Sequence, residues 1–291
     1  MSDSTVLATG LFFGEGPRWH AGRLWFSDFY DHAVKSVGTG GDVRVELTID
    51  DHPSGLGWLP DGRLLVVSMN QRKVLRREAD GHMRVHADIS GVAAHRANDM
   101  VVDAQGRAYV GNFGFPLDDE LKRRGVESVL AEHPTANLAR IDPDGSVHLA
   151  AADLHFPNGM VITPDGRTLI VAETLAMRLT AFDIKTDGSL ANRRVWAPVG
   201  MRAPDGICLN ADGQVWIANA IAAECVLFAP GGEVLATVTT DQPCYACMLG
   251  GEDGHLLHMM TAPSSVAEIV SVSRQGHIVT ARVAVPHAGR P

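Results

Sequence analysis

The chain has 291 residues, with 25 Lys and Arg against 34 Asp and Glu, a formal net charge of −9 and a pI near 5.8. That balance argues against a nucleic-acid partner, and no long uncharged apolar run is available to span a membrane. Hydrophobic residues make up 45%, enough for one large core, and the opening stretch MSDSTVLATGLFFGEG lacks the basic-then-apolar order of a secretory signal, so a cytoplasmic protein is expected.

Six copies of one phrase organise the chain. Each is a short apolar run, a Gly-containing turn and a second apolar run. The turn glycines are Gly22, Gly62, Gly106, Gly166, Gly213 and Gly254, stepping by 40, 44, 60, 47 and 41 residues. First strands are predicted at 17–19, 55–58, 100–102, 160–162, 207–209 and 247–249, and second strands at 24–26, 64–67, 108–110, 169–171, 215–217 and 257–259. These are β-branched and aromatic runs of strand length without helical spacing. Third strands are legible at 74–76, 138–141, 179–182 and 225–228. A strand–turn–strand unit recurring near forty residues predicts an all-β, six-bladed β-propeller, read as a single domain over 1–291. Residues 5–13 are expected to pair with the last blade near 278–285, closing the circle.

The long step follows Asn112, in the run FGFPLDDELKRRGVESVLAEHPTAN. We read this insertion, about 113–137, as a lid over the channel mouth, with an amphipathic helix over 117–132. An edge contact in a dimer is the competing use, so monomer and dimer both stay open.

Counting back eight residues from each turn glycine, seven in the first copy, gives Glu15, Ser54, Asn98, Asn158, Asp205 and Ala246. Equivalent positions in successive blades face one axis, so Glu15, Asn98, Asn158 and Asp205 are expected to converge. Taken singly, an acid or amide before glycine is an ordinary turn residue; four at one phase point instead to a site. Such hard oxygen donors select Ca²⁺, Mg²⁺ or Mn²⁺ over zinc.

The second strands end on Asp28, Ser68, Asn112, Glu173, Asn219 and Thr261. These are either polar ends meeting water or supports for the inner ring. Cys244 and Cys247 have the spacing of a zinc or redox pair. With no second such pair, the four cysteines (Cys208, Cys225, Cys244, Cys247) are read as packing residues. His95 and His155 are expected near the channel mouth, as loop residues or as a proton donor.

The phrases GEGPRWH (14–20), RANDMVVDAQGR (96–107), FPNGMVITPDGRTLIVAET (156–174) and APDGICLNADGQVWIAN (203–219) resemble the gluconolactonase and regucalcin family. The resemblance covers essentially the whole chain. It implies a six-bladed propeller with a divalent cation in its channel and a hydrolase that opens a lactone ring. It assigns the metal to Glu15, Asn158 and Asp205, and substrate contacts to Asn98 and Arg96. Asp205 is the implied catalytic group, as base or as nucleophile. Ca²⁺ is the expected cation, with Mg²⁺, Mn²⁺ and Zn²⁺ as alternatives, and the expected partner is a small-molecule lactone or ester.

One departure stands out. The place of a lid glutamate that binds sugar hydroxyls falls on Pro116, with Asp118 the nearest acid, which implies a less hydroxylated lactone. Two alternatives remain: a phosphotriester or aryl-ester hydrolase on the same site, and a non-enzymatic calcium-binding or interaction propeller.

Overall fold

Every repeat folds as a four-stranded antiparallel sheet, and the six sheets stand in a ring as a six-bladed β-propeller. The computed structural model describes residues 4–289, so the ends of the expected 1–291 span lie outside the described residues. The innermost strands are Gly14–His20, Pro53–Trp58, Ala97–Val102, Pro157–Ile162, Pro204–Leu209 and Cys244–Gly250. Each runs into a tight turn and pairs with the next strand outward, for example Pro157 with Glu173 and Ile162 with Leu169.

The turn glycines do what their spacing implied. Gly62 (φ 86°) and Gly166 (φ 70°) take left-handed conformations that side-chain-bearing residues rarely adopt. The preceding aspartates cap the same turns, Asp61 accepting the Arg63 N–H at 3.1 Å and Asp165 the Arg167 N–H at 3.0 Å.

Blades pack face to face through the apolar strand residues. Val34, Leu56 and Val66 fill one interface, Met100, Val110 and Leu65 the next, and Ile170, Ile207 and Ile217 another. The inner strands approach one another so closely that a side chain cannot fit between some of them. A Cβ on Gly159 would lie 2.5 Å from the Asp205 carbonyl oxygen, and one on Gly206 would lie 2.6 Å from the Ala246 Cβ. The glycine after Glu15, Asn158 and Asp205 is therefore a packing requirement of the channel wall, and these residues are not turn residues.

The ring closes as expected. Thr5–Leu11 is the outer strand of the sixth blade, antiparallel to Gly276–Arg282, with Thr5 opposite Thr280. In the insertion, the single expected helix is two: α1 (Leu117–Arg124) and α2 (Val126–Ala131). Gly125, at φ 78°, breaks the run between them. Asp118, Asp119 and Glu120 open α1 while Lys122, Arg123 and Arg124 end it, an order that favours the helix dipole. Among the described residues no helix is long and apolar enough to cross a membrane.

Candidate functional site

Each innermost strand starts at the same end of the channel, and its second residue defines a ring. Glu15, Ser54, Asn98, Asn158 and Asp205 hold that position in the first five blades. In the sixth the second residue is Tyr245, which corrects the expectation of Ala246. The inner strand of the last blade has 7 residues where those of the second to fifth have 6, so counting back from the turn stops one residue late. Ala246 packs against Gly206 instead.

Glu15, Asn98, Asn158, Asp205 and Tyr245 line one cavity of about 250 Å³, and Arg96 lies on its wall. All five residues that the sequence assigned to the site are thus brought together. Their hydrogen bonds form a short chain. Ser54 Oγ donates to Asn98 Oδ1 (3.3 Å), Asn98 Nδ2 to Asn158 Oδ1 (3.0 Å) and Asn158 Nδ2 to Thr174 Oγ1 (3.2 Å). Thr174 Oγ1 in turn donates to the Pro204 carbonyl at 2.8 Å. The amides are thereby held in place from both sides.

The electrostatics of the ring are lopsided. Deeper along the channel, Arg18 donates to Asp99 Oδ1 at 2.9 Å and to the Pro17 carbonyl at 2.7 Å, both residues being buried. Arg18 is therefore already committed. Glu15 Oε2 accepts the Gly16 N–H (3.0 Å), and among the described residues neither Glu15 nor Asp205 forms an ion pair. Burial pushes the Glu15 carboxyl well above its usual range, and the charges of Asp205 and Asp99 push it further. Asp205 is raised in the same direction by burial and by Asp99, against a hydrogen bond from Asn158.

Two buried carboxylates beside two amide oxygens fit a hard divalent cation, whose charge would balance both acids. Among the described residues no three His, Cys, Asp or Glu side chains are grouped to hold a metal, so a cation here would draw on amide oxygens and water.

The walls have another character. Phe13, Phe113, Phe156, Leu121, Leu175 and Met177 line them, and the Phe113 and Phe156 rings lie 4.5 Å apart. Arg96 sits 4.5 Å over the Phe113 ring and pairs with Asp118 at 2.6 Å. Asp118, the nearest acid to Pro116, does therefore reach the cavity wall. The insertion is tied to the loop before Pro157–Ile162, His133 Nε2 lying 2.9 Å from His155 Nδ1 while His133 Nδ1 meets the Val129 carbonyl at 2.7 Å.

Three of the outer polar strand ends, Asp28, Glu173 and Asn219, hold structure. Asp28 accepts the Phe13 N–H (3.0 Å) and Lys35 Nζ (2.8 Å), and Glu173 accepts the His155 N–H (2.9 Å) and Arg178 Nε (2.9 Å). Asn219 accepts the Ala203 N–H at 3.2 Å. Each of these three pins the loop that enters its own innermost strand, whereas Asn112 bonds the Asn137 carbonyl and the Gly114 N–H, and Thr261 Oγ1 is buried without a partner among the described residues. The four cysteines are buried free thiols, Cys208 Sγ and Cys247 Sγ being 3.7 Å apart.

Sequence reasoning missed Tyr245, Thr174 and the Arg18–Asp99 pair. A signal existed for Thr174, which directly follows Glu173. Another existed for the pair, since Asp99 is the one charged residue among the glycines and alanine that follow the ring positions.

Relatives agree with this architecture. A pentonolactonase of Haloferax volcanii is 29% identical over 227 residues, covering 75% of this chain and 70% of its own length. A 6-deoxy-6-sulfogluconolactonase of Pseudomonas putida is 26% identical over 287 residues, covering 96% and 94%. The solved structure of a calcium-binding protein, regucalcin, from Agrobacterium tumefaciens shares the fold, with a TM-score of 0.80 at 20% identity over 100% of this chain and 97% of that one. Residues 13–263 match the family described as the SMP-30/Gluconolactonase/LRE-like region, and with this span, fold and ring in hand, the chain belongs to that family.

Proposed function

We propose that this protein is a divalent-cation-dependent lactonase. The observation that carries the reading is the pair of buried carboxylates, Glu15 and Asp205, left without a counter-charge in the channel cavity. Relatives named for the hydrolysis of sugar lactones support the reaction class. Glu15, Asn158 and Asp205 would hold the cation, with Ca²⁺ first and Mg²⁺, Mn²⁺ and Zn²⁺ as alternatives. Once bound, it supplies Lewis-acid polarisation of the lactone carbonyl.

The chain's own residues supply the rest. Asp205 acts on the attacking side, taking the proton from water as general base or attacking the carbonyl carbon itself. Asn98, held between Ser54 and Asn158, presents its amide to the substrate oxygens. Arg96, fixed by Phe113 and Asp118, flanks the ring at the wall. The lid and aromatic walls limit water around the reacting group.

The aromatic wall also suits an aryl ester or phosphotriester, the second reading on the same site. The deciding experiment is turnover of lactones, aryl esters and phosphotriesters by chelator-treated protein, with each cation then restored. Cation-restored lactone opening is the expected result. Ester or phosphotriester turnover without lactone opening would replace it with the second reading. No turnover with any cation would overturn both and leave a cation-binding propeller.

A further inference from the structure

The cavity divides sharply by polarity, and that division names a substrate class. Its floor carries the ring acids and amides, while its walls are Phe13, Phe113, Phe156, Leu121, Leu175 and Met177. Polar groups on the wall are few, the hydroxyls of Tyr30, Tyr245 and Ser265 beside Arg96, Asp118 and Thr174, and the last three already bond one another or the backbone. Arg96 and Asp118 neutralise one another at 2.6 Å. Thr174 Oγ1 gives its proton to the Pro204 carbonyl and takes one from Asn158.

A substrate ring bearing several hydroxyls would lose water at each of them and find few partners on this wall. A hydroxyl buried without a partner weakens binding by about tenfold. Apolar carbons, by contrast, gain with each methylene removed from water.

The mouth continues the pattern. Val126 of the lid and Ile221 of the opposite loop line the cavity yet remain 61% and 64% exposed. Val266, next to Ser265 of the wall, and Ile269 on α3 (Ala267–Val270) are 41% and 47% exposed. Glu268 of α3 is ion-paired with Lys122 of the lid, so α3 and the lid form one continuous rim. An apolar rim above an apolar wall receives a substituent longer than the cavity is deep.

We propose that the substrate is a lactone carrying an apolar alkyl or aryl substituent, its carbonyl end on the acid-and-amide floor and its substituent against the lid wall. The proposal rests on the lactone-hydrolysis reading and narrows it.

The test is a matched series on the Ca²⁺-loaded protein: an unsubstituted six-membered lactone, the same ring with alkyl chains of increasing length, and glucono-δ-lactone. Calorimetric binding of each lactone and of its hydroxy acid is measured in parallel. The expected result is a kcat/KM that rises about threefold per methylene over the first several carbons, with glucono-δ-lactone at least about 100-fold below the longest chain. Leu121→Gln and Leu175→Gln, checked for an unchanged fold by circular dichroism, should flatten that slope. Equal or faster opening of glucono-δ-lactone, or a slope untouched in both folded variants, overturns the proposal and leaves lactone hydrolysis standing. Chain-length-dependent binding without turnover upholds the apolar ligand class and removes the hydrolytic reading. Neither turnover nor a binding preference removes both.

Discussion

Glu15 and Glu173 are both enclosed carboxylates at strand ends of the propeller, yet they are provided for in opposite ways. Glu173 receives Arg178 at 2.9 Å, Arg193 at 3.3 Å and the His155 N–H at 2.9 Å. Burial pushes its carboxyl up, but the hydrogen bonds from Arg178, Thr180 and the His155 backbone outweigh that and hold it below the ordinary range. Glu15 has the Gly16 N–H and two repelling acids. The difference separates a peg from a site. An acid whose counter-charges are built in holds the fold together, whereas one left uncompensated is arranged for something the chain does not itself contain.

The strongest way to break this comparison is at Asp205, the second uncompensated acid. Asp205→Asn should lower kcat/KM on the best lactone about 10³-fold, with the thermal melt retained. A near-wild-type rate would take Asp205 out of the chemistry.

A buried titratable group far from the cavity provides the counter-case. His258 stacks on Trp19 and is held neutral, burial having lowered it to about 4 from 6.5. The neutral ring is the native form, so its contribution is complete above pH 6.5 and is lost as pH falls toward 4. The loss is about 3 kcal/mol. Urea titrations at pH 7 and pH 4.5 should show a smaller drop for His258→Phe than for the parent. An identical drop in both would show that His258 is not the group responsible.

The two glutamates themselves can be compared in stability. Glu173→Gln leaves Arg178 and Arg193 without their acid and should cost about 2 kcal/mol, discounted for the partial exposure of both arginines. Glu15→Gln in chelator removes the acid that Asp205 and Asp99 repel and should stabilise by about 1 kcal/mol, with the sign reversing in saturating Ca²⁺. Denaturation of both variants in each condition reads this directly, and equal destabilisation by the two in chelator would erase the distinction.

The smallest effect belongs to the lid. His133→Ala removes its hydrogen bond to His155 and should raise KM about fivefold while leaving kcat in place. A change in kcat alone would assign this bond to the chemistry instead of to closure.

Much of this was legible in advance because the propeller repeats its constraints. Close approach of inner strands demands glycine after Glu15, Asn158 and Asp205, and the turns demand glycine near the foot of each hairpin, so both leave a fixed spacing. Tyr245 escaped because one hairpin is longer than the others, a change that leaves every local propensity intact. The break at Gly125 was visible as a glycine, but an isolated glycine also occurs within continuous helices. The wall was least legible. Phe13 and Phe156 each stand two residues before a ring residue and Phe113 directly after Asn112, but the same places hold Arg96, Ala203 and Thr174 in other blades, so the phase repeats while the residue type does not.

The seam where the propeller closes adds a constraint of time. Among the strands of the propeller, Thr5–Leu11 is made before all the others and its partner, Gly276–Arg282, after them. Glu15 lies on the blade that follows this seam and Asp205 on the blade that precedes the closing one. The two acids therefore take up their final separation only when the propeller's first strand meets its last, and the site is born with the completed circle.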